Sequence, residues 1–174
     1  MLEVLNKDEI MGEYVLGKII RYNHRNRLQD ESVATHSFYV SLFCLKIMAK
    51  LNLSKDIERQ VLIAAALHDA AESVTSDIPH DVKAKYPEME SILGKIEKDY
   101  YEKNWPAYTK EVLYNRDDLV YNIIKLADAY SVRQYCLNEN NLGNTSEEIQ
   151  NILKESTIRI ETRTAAINKL LSNK

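Results

Sequence analysis

Glycine and proline are scarce in this chain, four and three among 174 residues. A many-turned β-sandwich needs more of both, so long helices are the expected alternative. Cysteine is scarcer still. Cys44 and Cys136 stand far apart and cannot make the framework of a small disulfide-stapled protein. Both sit in apolar helical patterns, which predicts buried free thiols, a reducing compartment and a cytoplasmic address. No apolar run approaches the roughly 18 residues of a membrane span. The opening stretch MLEVLNKDEIMGEYVLGKII carries acidic residues early and no continuous apolar segment, so it does not read as a secretory signal. A block of lysine and arginine is missing too. With a net charge of −3 and scattered basic residues, no stripe can track a nucleic-acid backbone. A nucleic acid polymer is therefore not an expected partner, whereas a small charged substrate remains open.

What is present is 45% hydrophobic and 28% charged residues, a globular balance. The length suits one domain over residues 1–174. Apolar residues recur at helical spacing nearly throughout. A first helix is expected from about Asp8 to Tyr22, followed by the arginine-rich connection RYNHRNRLQDES. A second is expected over Val33 to Leu51, with Val33, His36, Val40, Phe43 and Ile47 as its inward stripe. Ser54 is a good N-cap for a third, which carries DIERQVLIAAALHDAAES. VTSDIP reads as a loop, because Pro79 blocks continuation upstream. A short helix follows at His80 to Lys85, and Pro87 starts another to about Trp105. The next long helix runs from about Arg116 to Leu137, broken by NENNLGN. Thr145, with Glu148 three residues on, fits a capping box that opens a last helix to Leu171. The expected architecture is an all-α bundle of about six main helices.

Chemistry concentrates at four positions. His68 and Asp69 lie inside the apolar string IAAALHDAAES, where burying them is costly unless they are paired or ligated. Glu72 comes four residues after His68, on the same face of a continuous helix. His36 faces the core from a separate helix. Asp128, in IIKLADAY, has Ile124 and Val120 as helical neighbours and points inward from a third. Two inward histidines and two inward aspartates are hard to satisfy without a cation. A buried aspartate that pairs with Lys125 or caps a helix is the plainer reading of Asp128 alone.

The order His, His-Asp and a distant Asp resembles the HD-domain metal-dependent phosphohydrolase superfamily. RYNHRNRLQDESVATHS is similar, without gaps, to a segment of the bacterial HD-domain 5′-deoxynucleotidases. That segment has an Arg-Trp pair, a Glu-Asn-Val element and a His-Ser pair; here they are Arg21-Tyr22, Glu31-Ser32-Val33 and His36-Ser37. HDAAESVTSDIPHDVK resembles the same family's core through His68, Asp69, Glu72, Thr75, Asp77, Pro79, Val82 and Lys83. The LADA string around Asp128 resembles the setting of the last ligand. Tyr22 in place of tryptophan is a departure: its ring can still pack on a sugar or base and it gains a hydroxyl, over a smaller area.

The resemblance implies an HD-domain helical bundle in which His36, His68, Asp69 and Asp128 hold one divalent transition metal. The mixed nitrogen and oxygen set suits Mn, Co, Fe or Zn without choosing among them. Glu72 is the implied acid–base residue, with the orientation of His68 as its plainer role. Asp77 resembles a catalytic position and is also placed to cap the following helix. Arg21 and Lys83 are the implied phosphate anchors, with Tyr22 beside the nucleoside. Arg25 and Arg27 read as solvated. Glu31 serves substrate or caps the second helix, and His24 and His80 read as exposed.

The implied activity is 5′-deoxynucleotidase: a deoxynucleoside monophosphate and water give deoxynucleoside and phosphate. The alternatives are a dNTP triphosphohydrolase that releases triphosphate, and a nucleotide-binding HD module without turnover. Arg25, Arg27, Lys83 and Lys85 could together serve a triphosphate. The resemblance also implies a homodimer or higher homo-oligomer, with no membrane partner. The last helix has no motif tied to the site, so packing or subunit contact is its default role.

Overall fold

The computed structural model describes residues 12–172. Eight α-helices follow one another: α1 (Val33–Met48), α2 (Lys55–Leu67), α3 (Glu72–Thr75), α4 (His80–Lys85), α5 (Pro87–Asn104), α6 (Ala107–Tyr114), α7 (Asp118–Asn141) and α8 (Glu147–Ser172) among the described residues. The all-α expectation holds. Among the described residues no helix is long and apolar enough to cross a membrane.

Ser32 and Ser54 cap α1 and α2, accepting from the N–H groups of Thr35 and Ile57. Such caps satisfy N–H groups that a helix start leaves orphaned. The buried face of α1 carries Val33, His36, Val40, Cys44 and Met48. The expected Phe43 and Ile47 are only partly buried, at the margin of the core. That core joins α1, α2 and α7 through Val40, Val61, Ala64, Leu119, Ile123 and Ile124. Each fully buried Val, Leu or Ile contributes roughly 1.5–3 kcal/mol. Cys44 and Cys136 are free and buried, as expected.

The structure corrects several element boundaries. Residues Asp8 to Met11 of the expected first helix lie outside the described residues. Residues 12–14 are helical and Val15–Gly17 form a 3-10 turn, but the helix does not reach Tyr22. Ile20 instead bridges Ser32 in antiparallel fashion, the Arg21 N–H donates to the Glu31 carbonyl at 2.9 Å and the Val33 N–H to the Ile19 carbonyl at 2.9 Å. These bonds close residues 20–32 into a loop, and backbone groups used across it are not available to a helix.

The third helix is also shorter than expected. α2 stops at Leu67, with His68 as its C-cap, and the HDAA segment is a series of tight turns. The Ala70 N–H bonds the Leu67 carbonyl and the Glu72 N–H bonds the Asp69 carbonyl, three residues back rather than four. Buried Tyr101, on α5, donates its hydroxyl to the Leu67 carbonyl and fixes this end. His68 and Glu72 therefore do not share a continuous helix face. Val74 and Thr75, expected in a loop, close the single turn of α3.

α6 falls where periodicity left the chain unassigned. α7 runs through Asn138–Asn141, which were expected to break it, because Glu139 is fully buried and bonded. The break falls at Gly143, whose φ of +103° suits glycine alone. The last helix is capped by Ser146 rather than Thr145: the Ile149 N–H points at Ser146 Oγ, 3.5 Å away, and the Gln150 N–H bonds the Ser146 carbonyl. Glu148 does not close a capping box; it pairs with Arg25. α7 and α8 pack along each other in the most extensive helix pairing of the described residues.

Candidate active site

His36 is carried by the buried stripe of α1 and is 1% exposed. Its Nδ1 lies 3.0 Å from Ser131 Oγ on α7. Its Nε2 lies 3.2 Å from Asp128 Oδ1 and 3.6 Å from Asp69 Oδ2. His68, released from helical geometry at the end of α2, donates from Nδ1 to the Ala65 carbonyl at 2.8 Å. A carbonyl only accepts, so this bond puts the proton on Nδ1 and leaves the Nε2 lone pair facing inward.

That lone pair decides whether the residues fit a metal ion. Nε2 of His68 is buried and lacks a hydrogen-bond partner, although Asp69 Oδ2 is 3.2 Å away. Two electron-rich atoms so placed repel unless positive charge lies between them. Ligand atoms of His36, His68 and Asp69 all lie within 4.8 Å of one another. Asp128 joins through His36 rather than through this triple. The imidazoles are buried, while the side chains of Asp69 and Asp128 are 23% and 24% exposed toward the cavity. The donor set and its open side fit a divalent ion with positions left for water and substrate.

Electrostatics agree. Burial alone would raise the Asp69 carboxyl, yet the neighbouring His68, with His36 and Arg21, holds it well below the usual carboxylate range. Burial is likewise outweighed at Asp128 by the His36 imidazole, whose Nε2 lies 3.2 Å from its Oδ1. Burial and the Arg21 guanidinium push the His36 imidazole below its ordinary value, which favours the neutral form a metal requires. Burial opposes charge on His68, but the Asp69 anion outweighs it and raises the imidazole. The centre is thus built to attract a cation to one point.

The cluster opens into a cavity of about 800 Å³. Five residues expected near substrate or reaction line it: Arg21, Tyr22, Glu72, Asp77 and Lys83. Burial, with the charges of Asp69 and Asp77, pushes the Glu72 carboxyl up to about 9. Oε2 of Glu72 is buried and has no hydrogen-bond partner. Its plainer role, orientation of His68, is not what the structure has, because Ala65 does that. Asp77 does not cap α4, whose N-cap Pro79 makes no side-chain bond. Its Oδ2 instead accepts the Tyr22 N–H at 3.3 Å. Glu31 does not cap α1, since Ser32 does; it is buried and accepts from Arg21 Nη1 at 2.7 Å. Arg25 and Arg27, expected to be solvated, pair with Glu148 at 2.5 Å and Asp30 at 2.7 Å. His24 is exposed as expected and lines the cavity.

Several residues here had no sequence signal. Ser131 behind His36 is one. Tyr135 is another: its ring stacks on Tyr22 at 4.7 Å with planes 20° apart. Lys125, the partner in the plainer reading of Asp128, lines the cavity and acts on that carboxylate through its charge, while Asp128 contacts His36. The largest surprise is α8, which forms one whole wall of the cavity instead of serving only as packing. Each lies on an ordinary helix face, so only tertiary placement distinguishes it.

With this geometry established, the chain can be set beside known proteins. It is 30% identical over 139 residues to a 5′-deoxynucleotidase of Yersinia pestis (strain Pestoides F), covering 72% of this chain and 70% of that one. The 5′-deoxynucleotidase of Yersinia pseudotuberculosis serotype O:3 (strain YPIII) matches to the same extent. Its fold is similar to an HD-domain phosphohydrolase from Listeria innocua, with a TM-score of 0.71 and 22% identity over 95% of this chain and 85% of that one. The cyanophage S-2L HD phosphohydrolase DatZ, bound to dA and one catalytic Zn2+ ion, aligns with a TM-score of 0.66 and 15% identity over 99% of this chain and 100% of that one. The 5′-deoxynucleotidase YfbR-like family matches residues 14–167. This chain belongs to the YfbR-like 5′-deoxynucleotidase family.

Proposed function

We propose that this protein hydrolyses deoxynucleoside 5′-monophosphates to deoxynucleoside and phosphate. His36, His68, Asp69 and Asp128 would hold one divalent transition ion, Mn, Co, Fe or Zn. The observation that carries this reading is the orphaned Nε2 of His68, aimed at Asp69 and His36 on the floor of a cavity that Arg21 and Lys83 also line. Such an ion supplies a polarised phosphoryl group and an acidified water. Arg21 and Lys83 neutralise the phosphate, Arg21 with the nitrogens that Glu31 leaves over. Glu72 would take the proton of the attacking water: burial and the charges of Asp69 and Asp77 push its carboxyl up, and the charge of a bound ion would bring it back toward neutral pH, where it can accept. Asp77, tied to the Tyr22 backbone, delivers a proton to the departing 5′-oxygen.

The pairing of Arg25 and Arg27 favours a monophosphate over a triphosphate. Both were candidates to hold extra phosphates, and both are matched by carboxylates. Incubation with dAMP and dATP under Mn, Co, Fe and Zn, followed by chromatography, tests this. Phosphate from dAMP with dATP intact is expected; tripolyphosphate from dATP would favour the triphosphohydrolase, and nucleotide binding without products the silent module. Asp69→Ala should abolish metal content and activity together, whereas Glu72→Ala should reduce turnover with the metal retained. Self-association and a cytoplasmic address belong to the same proposal. Exposed Phe38, Tyr39, Leu42 and Leu45 on α1 support the former. Light scattering in solution reads it directly.

A further inference from the structure

The wall that α8 gives the cavity has a pattern of its own. Glu148, Asn151, Ile152, Glu155 and Arg159 fall at i, i+3, i+4, i+7 and i+11, the spacing of one helix face, and all line the cavity that holds Asp69 and Asp128. Ile152 also packs, with Tyr22, against the small core of Tyr135, Cys136 and Ile149. The α8 face is therefore continuous with the residue expected beside the nucleoside.

The phosphate end lies elsewhere. Glu31 Oε2 lies 2.7 Å from Arg21 Nη1 and 3.9 Å from His36 Nδ1, which puts the Arg21 guanidinium beside the proposed ligand cluster, and Lys83 lines the same cavity. The cavity runs from the cluster to α8, and Tyr22 packs on the same small core as Ile152, so a monophosphate held by Arg21 can run its nucleoside past Tyr22 toward α8. A base directed that way would meet Ile152, with Asn151 and Glu155 on the same face of α8.

We propose that Asn151 and Glu155 form a base-reading edge that selects nucleobases with an exocyclic amino group. This rests on the nucleotidase reading above. An exposed carboxylate only accepts hydrogen bonds, and a carboxamide both donates and accepts. Glu155 is exposed, and its distance of 3.7 Å from Arg159 is too long for a hydrogen bond. It can accept from the amino group of cytosine or adenine. The carbonyl that uracil or thymine presents at the corresponding position meets it with like partial charge. Asn151 satisfies either kind of base and contributes affinity without choice.

The test compares dCMP with dUMP, which differ at this edge by amino against carbonyl. The metal-loaded wild-type protein should show kcat/KM about tenfold higher for dCMP, the scale of one charged hydrogen bond. Glu155→Gln should bring the two within about threefold, because the new amide can donate to the carbonyl. Asn151→Ala should lower both together. A substrate ratio is internal to each variant and insensitive to a folding defect. A wild-type ratio near one, or a ratio unchanged in Glu155→Gln, overturns the proposal. Calorimetric binding of dCMP and dUMP repeats the comparison without turnover. If neither is hydrolysed yet dCMP binds more tightly and Glu155→Gln removes the difference, the base edge stands and the nucleotidase reading falls. Equal binding of both overturns the base edge.

Discussion

Ser131 lies 3.0 Å from Nδ1 of His36, and both are almost wholly buried. A hydroxyl accepting from Nδ1 leaves Nε2 unprotonated toward Asp69 and Asp128, as a metal ligand requires. Ser131→Ala should therefore weaken metal affinity by about 10- to 100-fold, the usual effect of losing a partner behind a ligand. Titration with Zn or Mn in the absence of nucleotide reads this, and unchanged affinity would remove Ser131 from the site. Backbone strain is also local. Among the described residues, the non-glycine positions with positive φ are Tyr22, at 56°, and Ser76, at 60°. The hydrogen bond from the Tyr22 N–H to Asp77 joins the two places across the cavity. Such conformations cost about 1–3 kcal/mol each, and they cluster at functional sites. Glycine relieves that strain while losing roughly 0.5–1 kcal/mol of chain entropy. Ser76→Gly should thus raise stability by about 1 kcal/mol, measured as a higher urea midpoint; a lower midpoint would mean that the Ser76 side chain holds the turn.

At the scale of elements, one stripe of α7 serves both halves of the site. Asp128, Ser131, Tyr135 and Glu139 follow at intervals of three and four, from the proposed metal ligands to the loop of residues 20–32. Tyr135 stacks on Tyr22, and its carbonyl accepts from Gln29 Nε2 at 3.2 Å. Fully buried Glu139 accepts from the N–H groups of Leu28 and Gln29, each at 2.9 Å, and from Asn144 Nδ2 at 2.6 Å. A helix thereby fixes a loop that holds Arg21 and Tyr22 at the cavity of the proposed metal ligands. Glu139→Ala would strand several of these donors. Each donor left unsatisfied costs about 1–3 kcal/mol, and water recovers part of that at the partly exposed Gln29. A loss of about 2–3 kcal/mol is expected in denaturant unfolding, with faster amide exchange at Leu28 and Gln29. Unchanged exchange there would show that the loop holds itself.

For the molecule as a whole, the proposed ligands come from α1, from the turn after α2 and from α7, elements that share one core. An ion bound to all of them ties distant parts of the chain together in the folded state only. Stabilisation by binding follows mass action, about 2.7 kcal/mol at a free ion concentration 100 times the dissociation constant. Chelation should therefore lower the unfolding temperature by several degrees, and readdition of Mn or Zn should restore it. Asp69→Ala should be insensitive to both treatments. A chelator shift of the same size in Asp69→Ala would locate the stabilising ion elsewhere.

The sequence alone determined that the chain is helical, that its core is built on apolar stripes and that His36, His68, Asp69 and Asp128 belong together. Scarce glycine and proline, helical spacing and a chemically costly set of buried polar residues are all written along the chain. It also carried the phosphate and proton-transfer candidates, through strings that resemble a known family. Tertiary structure alone decided the turn at His68, since Tyr101 reaches from α5 to end α2, and periodicity cannot register a partner so distant. It likewise decided that Glu31 and Glu148 neutralise arginines instead of capping helices. The part of α8 in the cavity wall, and of Ser131, Tyr135 and Glu139 behind the site, rests on contacts between residues remote in sequence. Their types are common on any helix face, so proximity in the folded chain alone gives them a role.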